Sequence, residues 1–330
     1  MILIDADVLG RNRTGEETYV ANLLRALPAA APDLAFAAVT RHPELVPAGV
    51  EPLALPARLQ EARMAWALPR LLRRLRPQLV HTQHALPLGW DGPSVVTLHD
   101  LHFERDPSVM SLADRVTFRA VVPRSARRAT RVIAVSERTR ADAVELYGLP
   151  PEKIAVVPHG VDPAFHPGEA GAHDYLLFVG AVQARKDPLA ALAAAQEAGL
   201  PLVVVGPAKD GGLARRLAEG GADVRGLVEK EELARLYRGA AALVLPSRYE
   251  GFGLPVLEAM ASGTPVVLSG DAALREVAGE AGVYGDLVFG IRRALVERDE
   301  LARAGLERAR LFTWQAAAAA TVAVYREALR

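Results

Sequence analysis

The 330-residue chain contains no cysteine. That removes disulfide bridges, thiolate nucleophiles and cysteine-ligated metals from consideration, and it is compatible with a reducing compartment. A surplus of charge is missing too. Thirty-nine basic residues face 39 acidic ones, for a formal net charge of zero, whereas a nucleic-acid-binding domain usually carries a basic excess. No apolar run approaches the roughly 20 residues that a membrane-spanning helix needs. The N-terminus, MILIDADVLG, meets an acid at its fifth residue and has no basic leader; a cytoplasmic chain without a secretory signal is expected. No G-x-G-x-x-G follows any strand-like run, which argues against a nicotinamide dehydrogenase.

What is present is alternation. Short β-rich runs (MILIDADVL, LAFAAVT, QLVHTQ, SVVTLHD, RVIAVS, KIAVVPHG) are separated by Ala/Leu/Arg helical stretches. After a Pro-, Gly- and His-rich loop at 158–173 the series resumes with YLLFVGAV, PLVVVGP, ADVRGLV, AALVLPS and TPVVLSG. Near-continuous apolar runs suit parallel strands covered on both faces. The βαβα order predicts an α/β chain with two Rossmann-like domains, 1–165 and 166–310, whose strand C-termini face one another across a cleft. Ligands of open α/β sheets bind at those ends. The loops there are polar: Thr14–Gly15–Glu16, His81, His99–Asp100, Ser136–Glu137, His159 to Asp162, Arg185–Lys186, Gly206 and Glu250 to Gly253.

The segment SRYEGFGLPVLEAMASGTPVV carries two acids around a helix start. Pro255 suits a first helical turn and Gly263 a helix stop. This places Glu250 in a loop and Glu258 one turn inside the helix. Gly251 and Gly253 would let backbone N–H groups approach a ligand. A helix start favours phosphate, while carboxylates accept hydrogen bonds from hydroxyls. A nucleotide sugar has both, so the acids and the anion site can serve different parts of one molecule. The alternative is a helix-terminus acid and an exposed helix charge.

Glu250-x7-Glu258 within EGFGLPVLEAMASGTPVV resembles the signature of the retaining glycosyltransferases of family 4, which have the GT-B fold, and the chain looks most like their bacterial mannosyltransferases. RTGEETYVANLLRAL resembles the family's first glycine loop and helix, VVTLHDLHFERDP its histidine loop, and VIAVSERTRADA its next strand and helix. VPHGVD is similar to the interdomain hinge, FVGAVQARKDP to the phosphate-binding strand and loop, and VRGLVEKEELARLYRGA to the base-binding segment. FTWQAAAAATVAVYREAL resembles the closing helix, so residues 311–330 are expected to cross back to the first domain.

The resemblance implies a hexose, best read as mannose from GDP-mannose, moved to a hydroxyl of a glycan or lipid-linked acceptor, with a UDP-hexose as the alternative donor. It implies that Glu258 accepts from ribose hydroxyls and Glu250 from the donor sugar. The Gly251, Phe252, Gly253 and Leu254 amides approach sugar and phosphate, and Gly180, Gly226, Leu227 and Gly15 complete the donor set. Arg185 and Lys186 would balance the leaving diphosphate without a metal, against the alternative of a solvated helix cap. His99 would contact the donor sugar as a positioning group, and Asp100 would cap the following segment. The Gly15-Glu16-Glu17 loop departs from the family's glycine-rich form, which leaves Glu16 without an assigned role.

Asp5-Ala6-Asp7 is a literal Asp-x-Asp, but at the tail of a strand, so no metal is expected. His81 and His84 lack a third ligand at zinc spacing, which leaves helix-cap or acceptor-pocket roles. The Arg58–Arg76 and Arg115–Arg140 stretches are basic. EARMAWALPRLLRRLRP, in the first, suits either a membrane surface beside a lipid-linked acceptor or a core helix with an Arg-rich outer face. Two other readings stay open: a UDP-sugar 2-epimerase, which shares facing Rossmann-like domains, and a non-catalytic sugar-nucleotide-binding subunit.

Overall fold

The apolar runs become parallel strands buried on both faces. In a computed structural model the chain forms two α/β units, Met1–Gly160 with Thr313–Arg330, and Val161–Phe312. The structure describes residues 1–11, 14–57, 59–105, 112–169 and 171–330, with the side chains of all of these except 14 and 112–115. Arg58, the Asp106–Pro107 end of the histidine loop, and the Arg13 and Arg115 side chains lie outside the described residues.

The first unit holds β1 (Ile2–Asp5), β2 (Phe36–Thr40), β3 (Glu51–Ala54), β4 (Leu79–Gln83), β5 (Ser94–Leu98), β6 (Arg131–Ala134) and β7 (Ile154–Val156). They pair in parallel in the order β3-β2-β1-β4-β5-β6-β7. The second holds β8 (Leu176–Val179), β9 (Leu202–Val205), β10 (Asp223–Gly226), β11 (Ala242–Leu245), β12 (Val266–Leu268) and β13 (Gly282–Tyr284), in the order β10-β9-β8-β11-β12-β13. Two of these strands have no counterpart among the predicted runs. β3, EPLA, is an edge strand with mostly exposed side chains and a proline, tolerated there because an edge N–H needs no partner. β13, GVY, is three residues long. Neither carries an apolar run.

In the first unit the Thr14–Ala30 helix lays Tyr19, Val20, Leu23, Leu24 and Leu27 against Trp314, Val322 and Tyr325 of the Trp314–Ala328 helix in one core. The Asp5-Ala6-Asp7 string is engaged by arginines. Arg63, fully buried, donates to Asp5 through Nη2 at 2.6 Å and Nη1 at 2.9 Å. Arg41 forks onto Asp7 at 3.0 and 3.1 Å, and Arg11 reaches it at 3.0 Å. Arg63 opens a π-helical turn, Arg63–Ala67, that runs into the Leu68–Leu75 helix. The basic stretch thus has more than an outer face: Arg63 turns inward with Leu68, Leu71 and Leu72, while Trp66 stays exposed with Arg70 stacked 3.8 Å over its ring.

A buried pair broken on one side leaves a charge without compensation. Arg63→Met is therefore expected to cost about 3–5 kcal/mol, measured by urea unfolding, with Asp5→Leu in the same chain recovering part of the loss. A single-variant cost below roughly 1 kcal/mol, the size of an exposed pair, would show that Asp5 does not depend on Arg63.

Candidate functional site

Each sheet reverses its strand order once, between β1 and β4 and between β8 and β11. At such a reversal the loops leaving the two strands diverge and open a crevice at their carboxyl ends. Of the residues singled out in the second half of the chain, Arg185, Lys186 and Glu250 meet at the β8/β11 crevice. β8 leads through Gly180 to the 3₁₀ turn Ala184–Lys186, and β11 leads through Pro246 and Ser247 to Glu250. Lys186 Nζ donates to Glu250 Oε1 at 2.7 Å, and Arg185 Nη1 to Oε2 at 3.3 Å. The two loops are tied further by Arg248: its N–H donates to the Arg185 carbonyl at 2.8 Å and its guanidinium to the Ala184 carbonyl at 2.7 Å. Lys186 and Glu250 are buried and Arg185 is half-buried, so the pair is no solvated cap. Burial alone would raise the Glu250 carboxyl, but the Lys186 and Arg185 charges outweigh it and hold it below its usual range. Gly180, at φ +147°, is required here: a Cβ would lie 3.0 Å from both Lys186 Cδ and Nζ.

The Leu254–Ala261 helix starts with Pro255 in its first turn, behind Gly253 at φ +106°. A Cβ on Gly253 would come 2.8 Å from Leu274. Glu258 projects into the interior instead of outward and accepts from the Tyr237 hydroxyl at 2.9 Å. Burial pushes it up to about 8, Asp162 adding to the rise and the Tyr237 hydrogen bond and Lys230 opposing it. The two acids of one motif are thus held in opposite states, Glu250 ionised by its cations and Glu258 protonated at neutral pH. Phe252 is buried against Phe312 at 6.0 Å between ring centroids. Gly226 ends β10 at φ +68°, its carbonyl accepting from the Gly206 N–H at 2.7 Å, and Leu227 beside it is exposed. Tyr237 went unnoticed in the sequence; the available signal was an aromatic on the inner stripe of ELARLYRG.

The first-half residues group at the ends of β4 and β5, with two corrections. His81 is neither a cap nor part of a pocket. It lies buried within β4, bonded at 2.7 Å to the Tyr325 hydroxyl through Nδ1 and at 2.7 Å to Thr97 through Nε2, and burial takes it down to about 3. Gly15 is not in a loop: the helix begins at Thr14, so Gly15 sits in its first turn. That turn brings Glu16 to His84 at 3.3 Å. Burial would raise Glu16, but the His84 hydrogen bond and charge hold it at about 2; Glu16 in turn outweighs burial at His84 and raises the imidazole. His84 also has φ +60°, the left-handed region a side chain rarely adopts. His99 bonds Gln83 at 2.9 Å and meets Tyr19 edge-on at 4.9 Å. Asp100 accepts from the His102 N–H at 3.4 Å and contacts Nδ1 of the same ring at 2.6 Å, which makes it the cap of the next turn.

The sequence matches two families, Glycosyltransferase Family 4 over residues 13–165 and Glycosyl transferases group 1 over residues 173–304. It is 31% identical over 306 residues to D-inositol 3-phosphate glycosyltransferase of Segniliparus rotundus, covering 77% of this chain and 67% of that one. It is 35% identical over 231 residues to MMP alpha-(1->4)-mannosyltransferase of Mycolicibacterium hassiacum, covering 62% and 56%. The chain spans 59% and 56% of the length of the first curated relatives it matches. Among solved structures, sucrose-phosphate synthase from Thermosynechococcus elongatus superposes with a TM-score of 0.76 at 22% identity over 98% of both chains, a likeness of fold. These matches set aside the epimerase alternative. With two parallel α/β sheets of this order and matches along nearly its whole length, the chain belongs to glycosyltransferase family 4, the group 1 glycosyltransferases of GT-B fold.

Proposed function

We propose that this chain moves a hexose from a nucleotide sugar to a hydroxyl of a glycan or lipid-linked acceptor, with retention at the anomeric carbon and without a metal. GDP-mannose is the proposed donor and a UDP-hexose the alternative. The observation that carries the reading is the Lys186–Glu250–Arg185 cluster at the β8/β11 reversal, with Glu258 on the helix that follows. Two cations against one carboxylate leave a net positive charge, already ordered, for a diphosphate leaving group, and preorganised charge needs no rearrangement as the bond breaks. In the proposed step the bond from the anomeric carbon to the phosphate oxygen breaks as the acceptor oxygen adds from the same face, and the departing phosphate takes the acceptor proton. Glu250 accepts from donor-sugar hydroxyls, Glu258 from ribose, and His99 from a substrate hydroxyl. The name of the Mycolicibacterium relative supports mannose. For a lipid-linked acceptor, the support is a hollow of about 660 Å³ lined by Ala65, Pro69, Arg73, Leu88 and Trp90, beside exposed Trp66.

The donor is tested by thermal unfolding with GDP, UDP, ADP and their hexose conjugates, without metal and then with Mg²⁺. A ligand at 100 times its Kd stabilises by about 2.7 kcal/mol, and stabilisation by the GDP series without metal is expected. A response confined to UDP ligands selects the alternative donor, one that needs Mg²⁺ refutes the metal-free reading, and none at all sinks the nucleotide-sugar site. In variants, Glu258→Ala should weaken nucleotide binding, whereas Arg185→Ala should lower turnover more than affinity. Equal losses of both in the two variants would overturn the roles.

Glu258 also predicts a pH dependence. Its pKa is raised from 4.5 to about 8, so between those values the folded chain holds a proton the unfolded chain has released. That stabilisation is complete below 4.5 and is lost as pH rises to about 8, by up to about 1.4 kcal/mol per unit. Glu258→Gln should therefore gain stability relative to the parent across this window, measured by urea unfolding at its two ends. A constant difference would mean that the carboxyl titrates normally.

A further inference from the structure

What His99 can do is decided by the group on its far side. Its Nε2 lies 2.9 Å from the side-chain oxygen of Gln83, the last residue of β4. An amide oxygen only accepts, so Nε2 carries the proton in this bond. The lone pair of the neutral ring is then on Nδ1, which has no hydrogen-bond partner among the described residues. The main chain of Gln83 is held by the sheet, paired with Thr97 of β5 in the parallel ladder, and its amide nitrogen has no partner among the described residues. The Tyr19 ring, edge-on at 4.9 Å, leaves the imidazole little freedom to turn.

The surroundings favour the uncharged ring. Burial takes His99 down to about 4 against the pull of Glu16 and Asp100, and His84, its ring 5.4 Å away and its own proton favoured by Glu16, adds to that fall. His159, 5.9 Å away, is itself driven neutral by burial, and the Tyr19 phenol is pushed above its usual range. An imidazole lone pair accepts from a neutral hydroxyl and is repelled by a phosphate oxygen, which selects the kind of group it can meet.

We propose that Gln83 is a positioning residue: it holds His99 neutral and protonated on Nε2, so that Nδ1 is presented as the acceptor for a hydroxyl of the substrate sugar. The sugar as ligand rests on the proposed transferase reading; the tautomer does not. A site built around an unpaired acceptor discriminates strongly against a ligand lacking the matching hydroxyl, which makes Gln83 and His99 together a specificity device.

The test is long-range ¹H–¹⁵N spectroscopy of the chain labelled in histidine, with His99→Asn identifying the His99 signals. The expected result near neutral pH is the Nε2–H pattern for His99, with the Nδ1 resonance moving when GDP-mannose or UDP-glucose is added. Gln83→Glu should stabilise the imidazolium and raise the His99 pKa. Donor turnover should then fall roughly tenfold near neutral pH, about the worth of one lost charge-sensitive hydrogen bond, and recover as pH rises. A residue that only supports the fold would lower activity equally at every pH. Should the glutamate prevent folding, Gln83→Met, which cannot accept in this geometry, is expected to let both tautomers coexist. An Nδ1–H pattern or an imidazolium in the parent chain overturns the tautomer assignment. The predicted tautomer with no Nδ1 shift on either donor overturns the hydroxyl contact, whether or not the transferase reading stands.

Discussion

Charge taken out of water has to be compensated on the spot, and this chain meets that constraint in three different ways. Asp5 and Glu250 are buried against cations, Arg63 for the first and Lys186 with Arg185 for the second. Glu16 is matched with His84, whose hold on a proton it strengthens in return. Glu258 accepts from a phenol, and keeps its proton. The cost of an uncompensated buried ion is large enough that one of these outcomes is forced at each position. Which outcome applies sets the chemistry: an ionised acid that orders two cations, or a neutral acid able to donate as well as accept.

The strand reversals decide where these groups lie. In the second unit, neighbouring parallel strands bring Lys186 and Glu250, 64 residues apart in the chain, to one crevice, and bonds from the N–H and guanidinium of Arg248 tie the two loops. Neither loop alone could hold a lysine and a glutamate out of water. The glycine at position 180 then has a plain purpose, since the lysine stem occupies the space a side chain would need.

Beside its ion pairs, the first unit buries a run of neutral polar groups. Tyr325, His81, Thr97 and Tyr19 form a buried hydrogen-bonded chain from the last helix through two strands to the first helix. Each member has a partner, so the polar chain can sit in the core without leaving a desolvated group unpaired. Its outer end, Tyr19, is the ring against which His99 rests. Of the two histidines the sequence suggested for a cap or pocket, His81 holds the middle of this chain, and His84 is paired with Glu16 on the helix that begins at Thr14, where a loop was expected.

Residue types and local spacing by themselves determined the α/β class, eleven of the thirteen described strands, the helix start at Pro255 and its stop at Gly263, because apolar period and backbone chemistry act over a few residues. They missed β3 and β13, whose pairing comes from the neighbouring strand and not from their own side chains. The motif string also marked Glu250 and Glu258 as belonging together. Only the tertiary structure decided that one is ionised and the other protonated, that Arg63 is core and His81 structural, and that Gln83 faces His99. Those states depend on burial and on partners that lie 16 to 244 residues away in the chain, and an electrostatic environment assembled from distant segments leaves no local pattern to read.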